Sequence, residues 1–460
     1  MTMDRRTLLS AGTGLGVIAA TRPALATAGP REAHALEPGA APSTSLKSKL
    51  QPGSPSDQTT ALQAAIDAAA ARGQPLHLPA GALRTGALRL PANTKLIGAS
   101  GLTVLEFTGG PSFLTAKDAS GVTLQDIVFD GGLLPLDPEQ SDALLRFEGC
   151  TALILQRVEV RRALLNGISL ERCSGRISDC TVRGASQAIT SNNATGLEIA
   201  HNHIADCANN GILVWRDKPG EDGTIVSSNR IEGIKARNGG SGEYGNGINV
   251  FRADGVLVSG NRIAGCAYSA VRGNAASNIQ IISNSCEKLG EVAIYAEFGF
   301  QGAVISNNLI DHAATGISVT NFSEGGRLAV VQGNLIRNLV RRENDPEDKR
   351  GEGITLEADT LVTGNIIESA ATCGILVGWG KYMRDCMVTQ NMVRACRTGI
   401  LISSDDKAGS AMISGNMISG SHEGAVRMMD YGKPTGADLA QPGAAIPARL
   451  TITGNVATAG

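Results

Sequence analysis

The sequence predicts an all-β chain wound as a single-stranded parallel β-helix, and three observations carry that prediction. A small residue and Asn ahead of two or three apolar positions recur from Asn202 onward, at Asn229, Asn261, Asn284, Asn307, Asn334, Asn365, Asn391, Asn416 and Asn455. Between them Gly-Ile-x-aliphatic returns, as at Gly211-Ile212, Gly247-Ile248, Gly316-Ile317, Gly353-Ile354, Gly374-Ile375 and Gly399-Ile400, with Ala293-Ile294 and Ala425-Val426 as variants. Most successive Asn lie roughly 23 to 32 residues apart, a period that signals a solenoid. The apolar positions alternate with period two (Ile212/Val214, Ile248/Val250, Ile354/Leu356), which demands strands rather than helices. Gly, Asn and Ser between the strands supply turns that accept positive φ. A three-strand rung follows, with inward aliphatics stacked between rungs and the Asn at an inward bend, bonding backbone or the next Asn.

The elements fall in order along the chain. Residues 1–28 read as an export signal: Arg5-Arg6 precede a weakly apolar Gly/Ala-rich stretch, then small-residue cleavage options around Ala26 and Ala28. Residues 29–56, rich in Pro, Ala and Ser, read as a linker or extended arm. Residues 57–75 form a capping helix, opened by an Asp/Thr start signal at Asp57 to Thr60 and ending before Gly73. Its apolar face, Leu62, Ala65, Ile66 and Ala69, suits the open end of a solenoid, where an uncovered rung is a template for aggregation. Residues 76–460 are the β-helix.

Composition bounds the partners. With 57 Gly and 3% aromatic residues the core must be aliphatic. The net charge of −2 offers no basic stripe, which speaks against nucleic acid, and no transmembrane segment is predicted after the signal. The nine cysteines show no CxxC or Cys/His spacing and are expected as buried packing residues rather than disulfides or metal ligands. His201 and His203 share one side of a strand but lack a third ligand, so no metal site is predicted.

The run Asp57 to Ala69, Leu76-His77-Leu78-Pro79-Ala80-Gly81, Leu88-Arg89-Leu90-Pro91, Leu96-Ile97-Gly98 and Val104-Leu105-Glu106-Phe107 is similar to the N-terminal cap and first turns of pectate-lyase-superfamily proteins. Joined to the Arg5-Arg6 signal and the Asn repeats, it resembles a family of twin-arginine-exported, right-handed parallel β-helix repeat proteins of unassigned activity. That resemblance implies the twin-arginine translocation machinery as a partner, a periplasmic or secreted location, and a polysaccharide as ligand. The motifs of relatives are mostly missing. Asp405-Asp406 stands without the other polygalacturonase elements, and Asp137-Pro138-Glu139 lacks the His of the epimerase motif. Fold alone does not choose the reaction.

Strand alternation gives the candidate site. If Ile212 and Val214 point inward, one outward ladder holds Asn249, Arg272, Tyr295, Ser318, Thr355 and Arg427, and a second holds Trp215, Phe251, Asn274, Glu297 and Glu357. Insertions that decorate one flank add Tyr244, Trp379 and Tyr382, aromatic faces suited to sugar rings. Chemistry on a uronate needs a base near C5, positive charge on the carboxylate and an acid for the departing oxygen. The expected catalytic set is Arg272 as charge stabiliser or base, Tyr295 as acid/base, and Glu297 orienting Arg272 or holding Ca²⁺. Trp215, Asn249, Phe251, Asn274, Tyr244, Glu357, Trp379 and Tyr382 are the expected substrate-binding residues; no cofactor is required and Ca²⁺ is an optional ligand. Glu297 and Glu357 are the carboxylate pair a glycosidase would need. Two readings stand: a uronate-polysaccharide lyase or epimerase, and a non-catalytic carbohydrate-binding or envelope structural solenoid.

Overall fold

The structure, a computed structural model, describes residues 50–240, 242–342 and 350–458. The export signal and most of the proposed arm lie outside the described residues. The arm's last residues are docked: Leu50 is buried in the core cluster and Gly53 N–H donates to the Ala82 carbonyl (2.8 Å). Among the described residues no helix is long and apolar enough to cross a membrane.

The chain opens with helix α1 (Thr59–Ala71). Gln58 is its N-cap, without a side-chain cap bond; the start signal acts one residue earlier, where Asp57 Oδ1 accepts from Thr59 N–H (2.9 Å). Leu62, Ile66 and Ala69 are buried, and Ala65 packs partly buried against the same core. The helix contacts the strands Leu76–His77, Gly81–Thr85, Leu88–Arg89 and Lys95–Ile97, so it covers the N-terminal rungs.

Every third strand returns to the same sheet, giving three sheets of 15 strands each. Sheet one runs from Leu76–His77 to Leu450–Thr453, sheet two from Gly81–Thr85 to Val456–Thr458, and sheet three from Leu88–Arg89 to Lys433–Thr435. All pairings are parallel except the last in sheet three, where Val426–Asp430 turns back antiparallel onto Lys433–Thr435. The Gly-Ile strands stack in sheet three as predicted: Ile212, Ile248, Val271, Ile294, Ile317, Ile354, Ile375 and Ile400 are in register and fully buried. The residue before each is small because rungs approach closely there. A Cβ on Gly353 would collide with the Gly374 carbonyl oxygen of the next rung.

The recurring Asn form one continuous ladder at the corner between sheets one and two. Each Nδ2 donates to the Oδ1 of the next, from Asn202 to Asn229 (3.0 Å), through Asn261, Asn284, Asn308, Asn334, Asn365 and Asn391, to Asn416 and Asn455 (2.9 Å). One member corrects the sequence reading: the ladder takes Asn308, not Asn307. Asn307 occupies the left-handed position (φ 57°) that precedes the inward residue, filled elsewhere by Ser228, Gly260, Ser283 and Gly333. In the earliest rungs the inward corner is apolar, at Ile127, Val158 and Cys180.

All nine cysteines are free and buried, and burial is the main reason the Cys180, Cys207 and Cys286 thiols are pushed up to about 12. They are packing residues. His203 Nε2 pairs with Glu232 Oε1 (2.9 Å), while His201 sits at the left-handed corner (φ 60°). Among the described residues no cluster of His, Cys, Asp or Glu has the arrangement of a metal site.

Candidate functional site

The two outward ladders are real columns of sheet three. Asn249 pairs in register with Arg272, Arg272 with Tyr295, Tyr295 with Ser318 and Ser318 with Thr355. In the second column Trp215 pairs with Phe251, Phe251 with Asn274, and Asn274 with Glu297. Parallel neighbours lie about 4.8 Å apart, so these side chains are forced together by strand pairing alone. The first column ends its polar run early: Leu376 and Leu401 separate Thr355 from Arg427, which binds the Glu423 and Gly436 carbonyls at the far end.

A cavity of about 530 Å³ opens over this region, lined by Trp215, Gly240, Gly242, Glu243, Asn249, Phe251, Arg272, Asn274 and Phe298. Its cover is the insertion between Ile234 and Asn246, expected on this flank. Gly242 presses on Arg272, where a Cβ would lie 2.9 Å from Nη2. Trp215 and Phe251 meet edge to face at 5.8 Å, and Arg252 lies 4.6 Å over the Phe251 ring.

Arg272 is the hub. Its Nε and Nη2 donate to Glu297 Oε1 (2.6 Å) and Oε2 (3.1 Å), and Nη1 reaches Glu291 Oε2 at 3.5 Å. Its guanidinium lies 4.8 Å over the Tyr295 ring. Asn274 Nδ2 donates to Glu297 Oε1 (3.0 Å), so Glu297 is held from two sides. Burial raises the Glu297 carboxyl above its ordinary range, and Arg272 opposes that shift. The Tyr295 hydroxyl accepts from Arg350 Nη1 (3.0 Å), and Arg350 Nη2 also meets Glu291 Oε1 (3.4 Å). Burial raises the Tyr295 phenol, keeping it protonated. Tyr295 does not line the cavity; it lies beside Arg272 and points its hydroxyl at Arg350.

At this cavity two buried polar atoms have no partner among the described residues. Asn249 is 3% exposed, its Nδ2 donates to the Gly242 and Glu243 carbonyls (3.3 and 3.4 Å), and its Oδ1 accepts nothing. Trp215 Nε1 likewise donates to nothing. Both residues line the cavity. An acceptor and a donor, both closed to solvent, are thus left unmet on two residues that line the cavity.

Four expected residues stand apart. Tyr244 belongs to the covering insertion beside Glu243 without lining the cavity. Glu357 lies further along sheet three and accepts the Phe322 N–H (2.6 Å). Burial, which the backbone N–H groups of Phe322 and Asn321 only partly offset, pushes its carboxyl up to about 7. Trp379 and Tyr382 pair with each other after the strand Cys373–Val377, three strands beyond Glu297, and Trp379 packs edge to face on Tyr431 at 5.5 Å. Insertion length alone does not fix where a loop tip lands. Sequence reasoning missed Glu291 and Arg350. Both lie outside the strand positions that the alternation resolves, Glu291 immediately before its strand and Arg350 in a long insertion. Ca²⁺ at Glu297 does not fit, because both carboxylate oxygens are already engaged by Arg272 and Asn274.

The family model described as the right handed beta helix region matches residues 166–336 and 220–393. No curated protein sequence matches the chain. Among solved structures, the N-terminal fragment of gene product 12 of bacteriophage phi29 is similar, at 16% identity and a TM-score of 0.53, over 89% of this chain and 70% of that one. A PL6 alginate lyase in complex with trisaccharide is similar at 13% identity and a TM-score of 0.50, over 89% of this chain and 94% of that one. Polysaccharide-acting proteins are thus among the structural neighbours. Together with the three sheets, the match assigns the architecture: the chain is a right-handed parallel β-helix.

Proposed function

We propose that the chain binds a polysaccharide across the Trp215–Phe251–Asn274 cavity and acts on it as a uronate lyase or epimerase. The observation that carries this reading is the pair of unpartnered buried groups, Asn249 Oδ1 and Trp215 Nε1, in the same cavity as Arg272. A small turn of either side chain brings its group to the cavity, where sugar hydroxyls answer both, and the Trp215 and Phe251 rings offer apolar faces to pyranose C–H groups. Lyase and epimerase chemistry share a first step, transfer of the uronate C5 proton to a base, here Glu243, the carboxylate on the cavity lining, and that step requires the uronate carboxylate to be neutralised. Arg272 supplies that charge; Glu297 and Tyr295 hold it in place, from its edge and from beneath. Tyr295, kept protonated, is the proton donor if a chain enters beside Arg350. The export route through twin-arginine machinery to the periplasm or beyond belongs to the same proposal, since extended polysaccharide lies outside the cytoplasm.

A second reading, non-catalytic binding, is favoured by one observation: Arg272 already meets two carboxylates and the Tyr295 hydroxyl already accepts from Arg350. One experiment separates the two. The protein is incubated with a panel of uronate polymers while ultraviolet absorbance reports unsaturated ends and NMR reports C5 inversion. Turnover that vanishes in Arg272→Ala and Tyr295→Phe supports catalysis. Binding without turnover on any polymer supports the second reading, and neither binding nor turnover removes both.

A further inference from the structure

Sheet two carries a surface feature that no polysaccharide site explains. Each of its short strands presents its first and third residues outward. Down the first position, in register, run Thr181, His203, Arg230, Arg262 and Ser285. From the next rung the same position becomes Leu309, Leu335, Ile366, Met392, Met417 and Val456 without interruption. Most of these are open to solvent: Leu309 is 40% exposed, Ile366 42%, Met392 39% and Met417 48%, with Leu335 more covered. One exposed aliphatic is ordinary, but a column confined to one half of a solenoid marks an interaction surface.

The third outward position supplies the partner's identity. Beside Leu309, Leu335, Ile366 and Met392 stand Asp311, Arg337, Glu368 and Arg394, alternating in sign. They pair along the column, Arg337 with Asp311 at 2.8 Å and Arg394 with Glu368 at 3.4 Å, so the rim carries no net charge to repel a copy of itself. Read backwards, the order − + − + becomes + − + −. A two-fold axis lying in the face, across the solenoid and between the Arg337 and Glu368 rungs, lays apolar column on apolar column. It sets Asp311 against Arg394 and Arg337 against Glu368 of the other copy. Parallel stacking would instead put the apolar column on the charged one.

We propose that this face, from Leu309 to Met392, seats a second copy of the chain in antiparallel orientation. The contact is about four strands long at ~4.8 Å each and one short strand wide, below the roughly 800 Å² per partner of a standard interface, so the dimer is a weak one. Sedimentation velocity on the whole protein across concentration tests it. The wild type is expected to shift from monomer to dimer at roughly tens of micromolar. Ile366→Lys is expected to keep it monomeric, with circular dichroism reporting the intact fold. Arg337→Glu alone, which sets a carboxylate against Glu368 of the other copy, is expected to do the same. Arg337→Glu combined with Glu368→Arg restores opposite charges and is expected to restore the dimer, which also keeps the test decisive if Ile366→Lys misfolds. A wild type that stays monomeric throughout overturns the proposal, as does a dimer indifferent to the charge exchange.

Discussion

Asn284 and Asn249 are both buried amides, 2% and 3% exposed, in neighbouring parts of one solenoid, yet they are wired differently. Asn284 Oδ1 accepts from Asn261 N–H (3.0 Å) and Nδ2 (2.9 Å), and its own Nδ2 donates to the Val258 carbonyl (3.1 Å) and Asn308 Oδ1 (3.1 Å). Asn249 makes two long donations and its oxygen accepts nothing. A buried polar group that is fully met rigidifies the fold, and one left unmet costs stability until something else meets it. The corner between sheets one and two is therefore built to be permanent, and the flank of sheet three is built to be completed.

The largest expected effect breaks the permanent side. Asn284→Ala orphans the Asn261 donors inside the ladder; at about 1–3 kcal/mol for each buried group left unmet, the loss should total about 4 kcal/mol. Denaturant unfolding checks it, and a loss below about 1 kcal/mol would show that the ladder is not what holds the rungs in register.

Next in size is Glu357, a half-buried carboxyl on the open side. Its folded pKa, about 7, stands above the ordinary 4.5, so the protonated form is the one the fold favours. The stability this contributes is fully present below pH 4.5 and is lost as pH rises through 7. Glu357→Gln should therefore flatten the pH dependence of stability across that window, with a gain at high pH of no more than about 3 kcal/mol. Thermal unfolding between pH 4 and 8 or so reads it; an unchanged slope would mean that the carboxyl is solvated.

Asn249→Ala probes the open side directly. It removes an acceptor that has no partner, so stability should move by less than about 1 kcal/mol, while affinity for a bound oligosaccharide should fall roughly tenfold, or about 1.4 kcal/mol. Calorimetric titration with the polymer identified by the uronate panel measures it. The reverse pattern, lost stability with unchanged affinity, would place Asn249 with the ladder residues.

How much of this the sequence shows depends on which side is asked. Period-two alternation places Ile248, Asn249, Val250 and Phe251 correctly, and strand pairing then delivers the columns through Arg272, Tyr295 and Glu297. The corner is nearly as legible, failing only at Asn307-Asn308, where both residues suit a left-handed turn. The ladder Asn stands two residues before the inward aliphatic, as Asn261 does before Ile263, and that count from Ile310 selects Asn308. Glu291 and Arg350 stayed hidden because no alternation governs a turn or an insertion, and for the same reason the sequence does not show that Trp379 and Tyr382 lie three strands beyond Glu297.

The smallest expected effect extends the permanent side by one rung. Cys180 holds the corner position immediately before Asn202, and its N–H already donates to Asn202 Oδ1 (2.9 Å) as a ladder residue's does. Its thiol points at the Leu155 carbonyl (3.5 Å), the equivalent of the Ile177 carbonyl that Asn202 Nδ2 satisfies at 3.0 Å. In Cys180→Asn the new Nδ2 has both acceptors waiting, but its Oδ1 faces Val158, which supplies no side-chain donor. The Val158 N–H meets that oxygen as the Cys180 N–H meets Asn202 Oδ1, so the gained bonds stand against the cost of burying a larger polar side chain and leave a change within about 1 kcal/mol of zero. Val158→Asn with Cys180→Asn gives that oxygen a side-chain donor from the rung before, so the double variant should be more stable than the sum of the singles, a coupling that a double-mutant cycle reads directly. Additive singles would mean that the ladder's strength lies in each amide's own carbonyl contact, not in the chain of amides.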